Sequence, residues 1–124
     1  MGKEGDSLRV FVVDDEKPCL DELVYLLEKQ EGMEIVGAFT NPVKALEVLT
    51  DLNPDVAFID LLMPRLNGAE LASRMHANNP ALKIVFVTAY AKELAKLGDR
   101  TASGSLLKPV SEAKLQELLR RLSD

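Results

Sequence analysis

The chain has 124 residues, 47% hydrophobic and 28% charged, with a net charge of −5, a balance that describes one globular domain rather than a disordered chain. The acidic balance argues against non-specific nucleic-acid binding, which needs clustered Lys and Arg to neutralise phosphates, and no apolar stretch approaches the ~20 residues of a membrane span. A single cysteine, Cys19, cannot form an internal disulfide and points to a reducing compartment, the cytoplasm.

In chain order, Met1 to Ser7 is polar and lacks the apolar core of a secretion signal. It reads as a disordered lead-in to one domain over residues 8–124. Leu8 to Val13 is a continuous apolar run, the pattern of a strand covered on both faces. Leu20, Leu23, Val24 and Leu27 follow the spacing of an amphipathic helix, with Cys19 as a small residue in its first turn and Gly32 ending it. Glu34 to Thr40 reads as a second strand, and Asn41-Pro42 opens a helix carried by Val43, Leu46 and Leu49. Asn53-Pro54 marks a turn before a third strand, Asp55 to Ile59. A loop through Met63-Pro64 and Asn67-Gly68, turn chemistry first, feeds a helix using Leu71, Ala72 and Met75. His76, late on that helix, reads as solvated. Lys83 to Val87 is a fourth strand, Tyr90 to Leu97 a weak fourth helix, and Ser105 to Leu107 a brief fifth strand. Leu115, Leu118, Leu119 and Leu122 carry the last helix. Five β-α units with right-handed crossovers predict an α/β fold on a parallel sheet, helices on both faces.

Polar residues follow four of the apolar runs: Asp14 and Asp15, Asp60, Thr88 and Lys108. Parallel strands bring all of them to the C-terminal edge of the sheet, where open α/β sheets bind ligands. Asp14-Asp15 alone could be helix caps. Together with Asp60 and Lys108, three carboxylates carry −3 against one ammonium, and a divalent cation brings the sum to zero. All the ligand atoms are oxygens, which favours Mg²⁺ or Mn²⁺ over zinc. A lysine and a hydroxyl beside that ion suit phosphoryl oxygens, and a central aspartate can be the nucleophile that becomes an aspartyl phosphate. The residues thus describe a Mg²⁺-assisted phosphoryl acceptor.

The pattern Asp14-Asp15-Glu16, then Asp60-Leu61-Leu62-Met63-Pro64-Arg65-Leu66-Asn67-Gly68, then Thr88-Ala89, then Lys108-Pro109 resembles the receiver domain of two-component response regulators, from Leu8 to about Leu122. The resemblance implies a flavodoxin-like doubly wound sheet of five strands in the order 2-1-3-4-5, with five helices, the order that receiver proteins share with flavodoxin. It implies that Asp60 accepts phosphate from a sensor histidine kinase or phosphotransfer protein. Asp14, Asp15, Asp60 and the backbone carbonyl of Leu62 would hold Mg²⁺, Asp14 mainly through water. Lys108 would pair with a phosphoryl oxygen and Thr88 would turn inward to another. Glu16 would support the first helix turn. The family's habit also suggests a cis Lys108-Pro109 peptide. Such a domain catalyses only its own phosphorylation and dephosphorylation, and it acts on a downstream protein or an output domain that this chain lacks. Neither nucleic acid nor membrane is an expected partner of this chain.

The pattern breaks in one region. Receivers usually carry Tyr or Phe three residues before the lysine, where this chain has Ser105, and a Gly-Ala pair where it has Thr101-Ala102. With Gly98 and Gly104 nearby, a short or mobile fourth helix and fifth strand are expected, with weak coupling from the site to that face. Leu62 and Tyr90 flank the path of attacking water and are poor at orienting it, which predicts slow dephosphorylation. The alternative function is a receiver-fold interaction module with phosphorylation-independent output. A flavodoxin-like FMN carrier would need a Ser/Thr/Gly-rich phosphate loop after the first strand, and a haloacid-type phosphatase a second Asp where Leu62 stands.

Overall fold

The computed structural model describes residues 7–97 and 102–123. Residues 1–6 of the expected lead-in, and Gly98 and Thr101, lie outside the described residues. Strands β1 (Leu8–Val13), β2 (Met33–Phe39), β3 (Val56–Asp60), β4 (Lys83–Thr88) and β5 (Gly104–Leu107) alternate with helices α1 (Lys17–Glu28), α2 (Pro42–Leu52), α3 (Gly68–Asn78), α4 (Ala91–Leu97) and α5 (Glu112–Ser123). All strand pairs are parallel, in the order β2-β1-β3-β4-β5. This is the expected flavodoxin-like arrangement.

The central strands are apolar along their length because both faces are covered. Val10, Val12, Phe58, Val85 and Val87 pack with Leu20, Leu23 and Leu27 of α1 and with Leu115 and Leu118 of α5. Their neighbours in the strands, Phe11, Val13, Ile59, Ile84 and Phe86, pack with Ala45 and Leu49 of α2 and with Leu71 and Met75 of α3. Side chains of a strand alternate between faces, so successive apolar residues serve two cores. Phe11, Phe58 and Phe86 are fully buried, each worth about 2–3 kcal/mol relative to exposure. In contrast, α4 has seven residues and none is buried; Leu94 and Leu97 only lean on the second core. Hydrophobic burial is the main source of helix stability in a folded protein, so α4 is the most weakly anchored helix.

Local signals set the helix starts. Asn41 accepts hydrogen bonds from the backbone N–H groups of Val43 and Lys44, with Pro42 in the first turn of α2, and Asn67 accepts from Glu70 N–H at the start of α3. At the opposite sheet edge, Arg9 holds the end of α2. Its guanidinium donates to the carbonyls of Leu52 and Asn53, and Asn53 takes a left-handed φ of 47°.

Several strand boundaries differ from the sequence reading. Asp60 and Thr88 are the last residues of β3 and β4, not the first beyond them, because they pair in register with Val87 and Leu107. Asp55 does not begin β3; its carboxylate instead accepts the Arg9 backbone N–H at 2.8 Å. β2 runs one residue earlier than expected, and β5 takes in Gly104 through pairing with Val85. His76 is half-buried rather than solvated, while Met75 beside it is fully buried. α4 and β5 are short, as expected.

Candidate functional site

Hydrogen bonds that extend the sheet beyond its strands hold the polar residues at one edge. Asp14 N–H donates to Phe39 O (3.0 Å), Leu61 N–H to Val87 O (3.2 Å) and Lys108 N–H to Thr88 O (2.8 Å). Asp14, Asp60 and Thr88 are the buried polar residues among those described. Each stands at the end of a strand buried on both faces, so its side chain emerges from the core into the crevice. The Lys108-Pro109 peptide is cis, as expected.

Carboxylate oxygens of Asp14, Asp15 and Asp60 lie within 4.8 Å of one another. Lys108 Nζ is 2.9 Å from Asp14 Oδ2 and 3.7 Å from Asp60 Oδ2. One ammonium therefore faces three acidic groups, and the remaining negative charge is expressed in the titration of Asp60. Its pKa is pushed up from 3.8 to about 7, first by burial and then by the charge of Asp14. Lys108 and a hydrogen bond from the Leu62 backbone amide oppose this, and Asp15 adds to it. For Lys108, burial favours the neutral amine, but the hydrogen bond to Asp14 and the charges of Asp14 and Asp60 outweigh it and raise its pKa. The donor set is all carboxylate oxygen in a partly closed, electronegative crevice. That fits a hard divalent cation such as Mg²⁺ or Mn²⁺, which is held by one or two carboxylates and keeps several waters.

The helix-capping interpretation of the Asp pair accounts for one contact. Asp14 Oδ1 accepts from Glu16 N–H at 2.9 Å, but Glu16 occupies the cap position of α1 and its side chain caps nothing. The other oxygen of Asp14 goes to Lys108. The Thr88 hydroxyl accepts from Tyr90 N–H at 3.3 Å, a strand-end contact made while the side chain remains buried beside the crevice. Leu62 projects to solvent at 42% exposure and Tyr90 at 58%; both rim the site without closing it.

Of the site residues singled out in the sequence, the structure brings Asp14, Asp15, Asp60 and Lys108 together, with Thr88 buried at the end of the neighbouring strand and the Leu62 backbone N–H on Asp60. The sequence reading underestimated Gly68. A Cβ at this position would lie 2.3 Å from Asp60 O and 2.8 Å from Leu61 Cα, and Gly68 N–H donates to Leu61 O at 2.8 Å. The glycine is required because α3 begins directly against the backbone of Asp60. An Asn-Gly pair signals a turn, but nothing local signals which backbone that turn will touch.

A family model for the response regulator receiver domain matches residues 10–120. An uncharacterised response regulatory protein of Yersinia pestis is 41% identical over 94% of this chain and 48% of its own length. The transcriptional regulatory protein BtsR of Salmonella typhi is 37% identical over 93% of this chain and 48% of its own. The crystal structure of the response regulatory domain of protein mrkE from Klebsiella pneumoniae superposes with a TM-score of 0.83 at 30% identity, covering 93% of this chain and 94% of that one. The chain thus spans about half the length of the curated relatives it matches.

Proposed function

Because the chain belongs to the response regulator receiver domain family, we propose that residues 8–124 form its phosphoacceptor module, with Asp60 as the acceptor. The observation that carries this is the Asp60 carboxylate, buried in a crevice with two further carboxylates within 4.8 Å and the Lys108 ammonium 3.7 Å away. The donor is the phosphohistidine of a sensor histidine kinase or a phosphotransfer protein. An Asp60 oxygen attacks phosphorus, the P–N bond breaks, and its electron pair returns to the imidazole ring nitrogen, leaving an acyl phosphate on Asp60. Lys108 neutralises a phosphoryl oxygen. Thr88 donates its hydroxyl to another and releases Tyr90 N–H as it turns. Asp14, Asp15, Asp60 and the Leu62 carbonyl would hold the metal, Asp14 mainly through water. Bound Mg²⁺, or Mn²⁺ in its place, supplies charge neutralisation between the acceptor carboxylate and the incoming phosphoryl group.

The module turns over no external substrate beyond its own phosphorylation and dephosphorylation. Its product is a conformational signal read by a downstream protein or by an output domain; the relatives named as transcriptional regulators support the second. Nucleic-acid contact then belongs to that other part. No described helix is long and apolar enough to cross a membrane, and the lone, unpaired Cys19 supports a module working in the reducing cytoplasm.

Incubation with acetyl phosphate followed by intact mass tests the reading. One phosphoryl group should be gained with Mg²⁺, none with EDTA and none by Asp60→Asn. Labelling of the Asn variant, or no labelling of the native chain in Mg²⁺, would remove Asp60 from this role. One observation favours a second reading, an interaction module whose output is independent of phosphate. Ser105 is exposed where receivers usually place a switching aromatic, so the acid site lacks its usual mechanical link to that face.

A further inference from the structure

Between α1 and the connections that follow β4 and β5 there is a cavity of about 330 Å³, within the size range of small-ligand sites. Its walls are apolar: Leu23 and Leu26 from α1, Val87 from β4, and Pro109 and Val110 from the turn into α5. Its mouth carries Glu16 and Glu22, with Cys19 between them along α1. Lys108 also reaches this space, but its ammonium is committed to Asp14 and Asp60. The Glu16 carboxylate accepts only from the weakly donating Cys19 thiol, at 3.4 Å, and the Glu22 side chain has no hydrogen bond or ion pair among the described residues. It is therefore a half-open pocket with largely apolar walls and, at its mouth, two carboxylates without an ion-pair partner among the described residues.

We infer that this cavity binds a small amphipathic cation, an alkyl chain of about six carbons bearing an ammonium or guanidinium head, with the chain among Leu23, Leu26 and Val110 and the head between Glu16 and Glu22. The charge at the mouth selects the sign of the head, and the apolar walls select the tail. A neutral amphiphile of equal length gains the same burial without the charge attraction, and an anionic one meets repulsion from the two carboxylates. Asp14 and Lys108 border both this cavity and the acidic crevice, and a carboxylate oxygen of Asp14 lies within 4.8 Å of one of Glu16, so an occupant lies directly against the phosphoacceptor site. Binding is read without Mg²⁺, so it stands or falls separately from the phosphoacceptor reading.

Cys19 is the chain's only cysteine and lines the cavity, so its alkylation rate reports occupancy. With the intact chain in EDTA, n-hexylguanidinium at ~10 mM should slow N-ethylmaleimide labelling by ~5-fold or more, given a dissociation constant on the order of 1 mM for so small a ligand. Hexanoate at the same concentration should leave the rate unchanged. Glu16→Gln with Glu22→Gln should weaken the cation's protection by ~10-fold, the loss expected for charge-assisted contacts. Leu26→Trp should fill the cavity and abolish protection; an unchanged circular dichroism spectrum and melting midpoint confirm that each variant is folded. Equal protection by both head groups, protection by neither, or calorimetric binding of the cation that leaves Cys19 fully reactive would overturn the inference.

Discussion

The raised pKa of Asp60 makes stability depend on pH in a direction opposite to that of most carboxylates. Without metal, folded Asp60 titrates near 7, against a reference value of 3.8, so between those pH values the folded state holds a proton that the unfolded chain has released. Stability from this group is complete below about pH 4 and is lost as pH rises through 7. A shift of roughly three units corresponds to a ceiling of about 4 kcal/mol at 1.36 kcal/mol per unit. Water at the crevice mouth screens part of it, leaving about 2 kcal/mol. Asp60→Asn removes the titration while keeping the shape. In EDTA at pH 8 the variant should therefore be about 2 kcal/mol more stable than the native chain, and nearly equal to it at pH 4.5. With a urea m-value of about 1–1.5 kcal/mol/M for a domain of this size, the pH 8 midpoints should differ by about 1.5 M. Addition of Mg²⁺ in the millimolar range should close most of that gap by stabilising only the native chain. Parallel pH profiles for the two proteins in EDTA would refute the claim that Asp60 is held at electrostatic cost.

Gly68→Ala drives a Cβ to within 2.3 Å of Asp60 O; displacing α3 should cost about 1–3 kcal/mol by urea midpoint, and the shift of Asp60 should slow phosphoryl uptake at least ~10-fold. Unchanged uptake would show that α3 yields and the acceptor does not. Leu62→Asn, which places a polar side chain on the exposed rim, should shorten the phosphoryl lifetime several-fold, on the order of 1 kcal/mol, in a mass time course. With a beryllofluoride phosphate mimic, amide exchange should change at Tyr90 to Leu94 but by less than ~2-fold in β5 and α5; strong protection of β5 would show that Ser105 does not interrupt the relay.

Much of this fold was legible because the sequence alternates two unambiguous signals. Runs such as Val10 to Val13 and Ile84 to Val87, short and rich in β-branched residues, fit central strands covered on both faces, and Asn41-Pro42 supplies a cap and a first-turn proline to the periodic run that follows it. The site was legible because strand order converts positions distant in sequence into a single edge: Asp14, Asp60, Thr88 and Lys108 needed only the topology. Distances across the chain were not legible. That Gly68 lies against Asp60, or that Arg9 ends α2 through the Leu52 and Asn53 carbonyls, depends on packing that no local pattern encodes. The boundaries at Asp60 and Thr88 were missed because a polar residue ending an apolar run reads as a loop, whereas pairing with Val87 and Leu107 keeps both in the sheet.

The contacts of Thr88 indicate where a signal can go when the usual aromatic is missing. Its hydroxyl accepts from Tyr90 N–H, and Tyr90 O in turn accepts from Glu93 and Leu94 N–H at the start of α4. A Thr88 hydroxyl that turns to a phosphoryl oxygen gives up a bond worth about 1 kcal/mol, and what it releases is the residue that fixes the first turn of α4. That helix has no buried side chain to hold it in place, so even this small change suffices to alter its position or its fraying. β5 and α5 are held differently, by Leu106, Leu115, Leu118 and Leu122 in the core on the far side of the sheet, and Ser105 offers no side chain with which to push on them. The main-chain hydrogen bonds that run from Thr88 through Tyr90 to Glu93 and Leu94 are therefore the route by which a turn of Thr88 would reach α4.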